Sequence, residues 1–214
     1  MNRTKRDERL RLLVARLNKE RKKQAKQIDI LCNDIIAAQR QFIKDLAVLS
    51  FAANFYEATA GAADLRELLY IAASFIRQEI VDANVAFFIQ RQGSSELHIF
   101  EGEQVGGEDE ARLENCFTNE LVNAVAKSNR ICSIEDMLGL GLEASPVFLR
   151  RFSVYAIPLA HKGLSRGFIL LYRSSRNPLS ADELKRVCGI TTGLSRSVGS
   201  CKTLVPAVPT DGDG

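Results

Sequence analysis

Apolar residues recur at helical spacing from near the start of the chain. After Asp7 there is no Gly until Gly61 and no Pro until Pro146, and Leu, Ala, Ile, Lys, Arg, Glu and Gln predominate. This pattern predicts one uninterrupted helix. With Leu10 at a heptad d position, Val14 falls at a, Leu17 at d, Ile28 at a, Leu31 at d, Ile35 at a, Ala38 at d and Phe42 at a. Arg21 and Gln24 interrupt that seam. The register then meets Asp45 at d, and the stripe resumes at Leu46 and Leu49 only after a four-residue step, a stutter that unwinds a coiled coil locally.

A second helical pattern starts at Asp64, read as an N-cap with Glu67 three residues on, and runs through Leu68, Leu69, Ile71, Ala72, Phe75, Ile76 and Ile80. The period then shortens. Val85 to Ile89 is an apolar run suited to a strand buried on both faces, and Leu97 to Phe100 reads as its hairpin partner. An acidic, Gly-containing loop, Glu101 to Asp109, leads to a helix expected from about Glu110 to Lys127, with Leu113, Phe117, Leu121 and Val125 on its apolar face. Ile131 to Ile134 is expected as a short strand, followed by a long connection from Glu135 to Arg150. Phe152 to Ala160 and Phe168 to Tyr172 form a second hairpin with His161, Lys162 and Gly163 near its turn. A last helix starts at Ser180, which makes a capping box with Glu183, and carries Leu184, Val187, Ile190 and Leu194. The Pro, Gly and Asp content beyond Lys202 reads as a disordered tail.

Charge divides the chain. Residues 1–44 carry thirteen Lys and Arg against five Asp and Glu, a net of +8, which leaves −5 for the remainder of a chain at +3 overall. The basic helix gives one reading as a nucleic-acid or membrane-surface binder and another as a solvated face; nucleic acid is disfavoured. The uncharged stretch Leu46 to Tyr56 is far short of the roughly 20 residues of a membrane span. The basic N-terminus lacks the apolar core of a secretory signal, so the expected location is the cytoplasm. Five cysteines, an odd and widely spaced set without a C-x-x-C pair, argue against a disulfide framework or a zinc site. They read as small apolar fillers or unremarkable thiols, with redox sensing through Cys116 or Cys132 as the other option.

The order helix, helix, two strands, helix, strand, loop, two strands, helix resembles the GAF fold. The residues that carry the resemblance best are Phe152 to Val198: a strand ending in Pro158-Leu159, a Gly turn, a strand with Gly167, then Leu179-Ser180 and an acidic helix. Ser128 to Met137 is similar to the strand-to-Asp segment of that family. The resemblance covers about residues 46–201 and implies an α+β domain: an antiparallel sheet flanked by helices, preceded here by a coiled-coil helix over residues 1–45 and followed by a tail over 202–214. It also implies a pocket between the sheet and the segment Glu110 to Arg150. Family members hold cyclic nucleotides, bilins, haem or amino acids there, and the cofactor of this chain stays unknown. Its Asn18-Lys19, the only Asn-Lys pair, lies in the basic helix, which disfavours a cyclic mononucleotide. The separation of Cys116 from Cys132 does not resemble that of the family's methionine-sulfoxide reductases.

The candidate ligand-binding residues are Phe88, His98, Cys116, Cys132, Asp136, Arg150 and Tyr155. Phe88 and Tyr155 would line an apolar cavity, or pack as ordinary core. His98 would point into it as a donor, or sit as a satisfied histidine. Asp136 would accept hydrogen bonds from a ligand, or cap the loop. Arg150 beside Arg151 would clamp a carboxylate or phosphate, or remain a solvated pair. No metal-ligand spacing, phosphate-binding loop or catalytic constellation is visible, so no enzyme is expected. The expected function is a signalling module that senses a small molecule or a partner and transmits through a homodimeric helix, its interface formed by Leu10, Val14, Leu17, Ile28, Leu31, Ile35 and Phe42. The other reading is a structural dimerisation adaptor without a ligand.

Overall fold

The structure is a computed structural model that describes residues 3–91, 94–100 and 113–201. The expected acidic loop, the residues at the start of the helix expected from Glu110, and the expected tail beyond Lys202 lie outside the described residues. The chain divides into two compact units, Met1–Ala47 and Val48–Gly214.

The first unit is helical throughout its described part and belongs to α1, Arg3–Thr59. Its apolar positions are open: Leu10, Val14, Leu17, Ile28, Leu31, Ile35 and Phe42 are between 51 and 63% exposed. Leu12, Leu13, Ile30, Ile36 and Ile43, off the expected seam, are exposed as well.

The second unit opens with the last turns of α1, whose Phe51 and Phe55 are buried. Next come α2 (Leu65–Glu79), β1 (Asn84–Arg91), β2 (Ser94–Phe100), a 3-10 turn at Leu113–Cys116, α3 (Asn119–Ser128), β3 (Cys132–Ser133), α4 (Ile134–Gly139), α5 (Pro146–Leu149), β4 (Phe152–His161), β5 (Leu164–Ser174) and α6 (Ala181–Ser200). The five strands form one antiparallel sheet in the order β2-β1-β5-β4-β3.

Local chemistry sets the element ends. Asp64 caps α2 by accepting from the Glu67 N–H at 2.8 Å, while the Glu67 carboxylate accepts from the Ala63 N–H at 2.7 Å. Ser180 and Glu183 form the expected capping box on α6. The β4–β5 hairpin turns on Lys162 (φ 49°) and Gly163 (φ 78°), the pair of left-handed residues that a two-residue turn of matching twist requires. Arg166 is the extra residue of a bulge, because Leu159 pairs with Gly167 and Ala160 with Ser165. Gly167 then adopts φ 125°, and a Cβ there would run into the backbone of Phe88.

Two expectations are corrected. The helix expected from Glu110 begins at Asn119, because Thr118 takes the N-cap and its hydroxyl accepts from the Leu121 N–H at 3.3 Å; Leu113 lies in the 3-10 turn and Phe117 precedes the cap. The connection from Glu135 to Arg150 contains most of α4 and all of α5, the first opened by a capping box of Ser133 and Asp136 and the second by Pro146.

Each face of the sheet carries its own apolar layer. Val85, Phe87, Ile89, Ile157, Leu159, Ile169 and Leu171 pack with Phe51, Phe55, α2 and α6. Ala86, Phe88, Val154, Ala156, Phe168 and Leu170 pack with α3, Met137, Leu142 and Leu149. Tyr56, near the end of α1, lies over Gly193 of α6, and its hydroxyl donates to the Gly189 carbonyl at 3.3 Å. The absence of a side chain at Gly193 lets the two helices meet there.

Candidate functional site

The sheet face toward α3, α4 and α5 is where the resemblance implies a pocket. Its centre is filled by aromatic rings: Phe88 stacks on Phe168 with centroids 4.6 Å apart, and Phe117 covers both at 5.1 and 5.9 Å. Such offset rings are mutually attractive in addition to the area they bury.

A polar group interrupts this layer toward the Tyr172 end of β5. Glu114, in the 3-10 turn, is only 3% exposed. The Tyr172 hydroxyl donates to its Oε1 at 2.7 Å, and its Oε2 is buried with no hydrogen-bond partner. From Tyr172 the rings continue edge-to-face to Phe152 at 5.8 Å and from Phe152 to Phe148 at 5.2 Å. Cys116, two residues from Glu114, is half-buried; burial pushes its thiol above the ordinary range and the Glu114 charge pushes it further. A thiol so held is a poor nucleophile at neutral pH. Glu114 was not among the candidates, because the expected helix put it on a polar, exposed face.

The structure sorts the other candidates. Cys132 is fully buried in β3, its Sγ 3.3 Å from the Ser128 hydroxyl oxygen. None of the five cysteines is in a disulfide. Asp136 is a cap: its Oδ2 accepts from the Ser133 N–H at 2.9 Å and hydroxyl at 3.0 Å, and its Oδ1 accepts from Arg130 at 2.9 Å. The Ser133 N–H first, then the Ser133 hydroxyl and the Arg130 guanidinium, hold this carboxyl below the usual range. Arg150 is exposed at the C-terminal cap of α5.

Phe88, His98 and Tyr155 do not share one cavity, which corrects the expected grouping. Tyr155 packs against the α2 and α6 layer, opposite Phe88. His98 sits across from Phe87 in the β1–β2 ladder and therefore on that same opposite face. Its Nε2 is buried without a hydrogen bond, 3.5 Å from the Glu96 carboxylate. Two clefts also lie on this side. One of about 460 Å³ is lined by Tyr56, Thr59, Ala62, Leu68, Arg196 and Ser197, and one of about 350 Å³ by Asp64, Arg66, Glu67, Tyr70 and Phe100.

Among the described residues no group of His, Cys, Asp and Glu is placed to hold a metal ion, and no helix is long and apolar enough to cross a membrane.

This architecture is the GAF fold. The chain is similar to the GAF domain of an Acinetobacter phosphoenolpyruvate-protein phosphotransferase, with a TM-score of 0.52 and 13% identity over 72% of this chain and 94% of that one. It is similar to the GAF domain of the corresponding protein of Coxiella burnetii, with a TM-score of 0.51 and 12% identity over 72% and 93% of the two chains. The chromophore-binding domain of a Stigmatella aurantiaca bacteriophytochrome gives a TM-score of 0.51 and 13% identity over 73% of this chain and 61% of that one. No family model and no curated protein matches the sequence.

Proposed function

We propose that this protein is a non-catalytic regulatory module of the cytoplasm, in which a GAF-like domain senses a small molecule or a partner and passes the change to a dimeric N-terminal helix. The observation that carries the reading is the composition of α1. Its apolar positions from Leu10 to Phe42 are exposed, whereas Phe51 and Phe55 of the same helix are buried in the core that α6 and the sheet complete. A second copy covers the exposed stripe, as knobs-into-holes packing of a parallel pair would do, and a change in the domain core reaches that pair along a helix it already holds. The GAF fold supports the sensing role by analogy of fold alone.

The packing of Phe88, Phe117 and Phe168 favours a second reading, an adaptor that dimerises without a ligand. Native mass spectrometry of protein purified from its own host separates the two. A dimer carrying a retained small molecule is the expected result; a ligand-free dimer supports the adaptor, and a monomer contradicts both.

A further inference from the structure

Among the described residues of the second unit, the Glu114 carboxylate is buried and only partly compensated. It is 3% exposed, Tyr172 serves one oxygen, and the other has no donor. No Lys, Arg or His among the described residues pairs with it. Buried carboxylates in folded proteins are paired or fully hydrogen-bonded, because desolvating the charge is otherwise costly. The vacant acceptor lies at the end of a run of rings, Tyr172, Phe152 and Phe148, and all three are only half-buried. An anionic oxygen next to half-open aromatic edges and faces is the environment that suits a cation with N–H donors on an apolar body.

We propose that Glu114 and Tyr172 form the polar end of a binding site for a small organic ammonium ion. The ammonium N–H donates to Glu114 Oε2, Tyr172 holds Oε1 in place, and Phe152 and Phe148 receive the apolar part of the ligand. The positive charge restores neutrality to the buried carboxylate. A neutral alcohol of the same shape supplies a donor without the charge, and a carboxylate ligand is repelled. The proposal rests on reading the domain as a sensor and supplies the chemical class it would sense.

The probes are benzylammonium and n-butylammonium, set against benzyl alcohol and phenylacetate, titrated calorimetrically into the full-length chain at constant chloride. Saturable binding of at least one ammonium is expected, at least tenfold tighter than either control. Glu114→Gln should weaken it at least tenfold, and Tyr172→Phe should weaken it several-fold while leaving the ammonium preference. Absence of saturable ammonium binding, or binding that Glu114→Gln leaves unchanged, would overturn the site. If Glu114→Gln does not fold, carbon-13 spectra of the native chain labelled at the glutamate carboxyls decide: one buried carboxyl signal should move with added ammonium, and no movement overturns the proposal. Ammonium binding to a monomeric protein would keep the site and reject the dimeric sensor, whereas a dimer indifferent to ammonium would do the reverse.

Discussion

Arg173 shows how a charged side chain can be structural. It is 6% exposed, and its guanidinium donates to the carbonyls of Asn177 at 2.6 Å, Pro178 at 2.8 Å and Val81 at 3.3 Å, and to the Glu183 carboxylate at 2.9 Å. It ties the end of β5 to the loops before β1 and α6, a task that needs a planar fork of donors. Arg173→Ala should therefore cost about 3–5 kcal/mol, the range for breaking a buried pair, measured as a shift in the urea unfolding curve. Burial opposes ionisation of Glu183, but the Ser180 N–H and hydroxyl and then Arg173 outweigh it and hold the carboxyl below its ordinary value. Its contribution to stability is thus complete above the ordinary carboxylate value and is lost as pH falls through the lower folded value. Glu183→Gln should lose less stability between pH 5 and pH 3, about the range in which unpaired carboxyls titrate, than the unaltered chain does; equal losses would reject this assignment. Arg173 was legible in principle, since it is in phase with Ile169 and Leu171 on the inward face of β5. Glu114 was not, because its burial depends on a 3-10 turn replacing the helix that the apolar spacing of Leu113, Phe117 and Leu121 implied.

Among the elements, those governed by neighbouring residues were readable. The caps at Asp64 and Ser180 act over three or four residues, and the hairpin around Lys162-Gly163 is fixed by its own backbone angles. The grouping of Tyr155 with Phe88 failed because it depended on pairing between distant strands. Alternation alone says that Tyr155 and Ala156 face opposite sides, but only the ladders that join β4 to β5 and β5 to β1 place Tyr155 away from Phe88. The same ladders make Gly167 indispensable, because its φ of 125° and the Phe88 carbonyl leave no room for a Cβ. Gly167→Ala combines backbone strain of about 1–3 kcal/mol with overpacking of about 1–3 kcal/mol. A large drop in the urea midpoint is expected, and a midpoint within experimental error of the unaltered chain would show that the bulge relaxes freely.

For the whole molecule, the exposed apolar stripe of α1 is the feature that most needs an explanation. Helices in proteins draw most of their stability from packing an apolar face, and α1 exposes its apolar positions from Leu10 to Ile43. The proposed second copy of the chain would cover the stripe, with the polar interruptions at Arg21 and Gln24 setting its register. Light scattering of the full chain at tens of micromolar, beside an Ile28→Asp/Ile35→Asp double variant, tests this most directly. A dimer is expected for the unaltered chain and a folded monomer for the variant; a monomeric unaltered chain, or a variant that dimerises equally well, would contradict the dimeric helix.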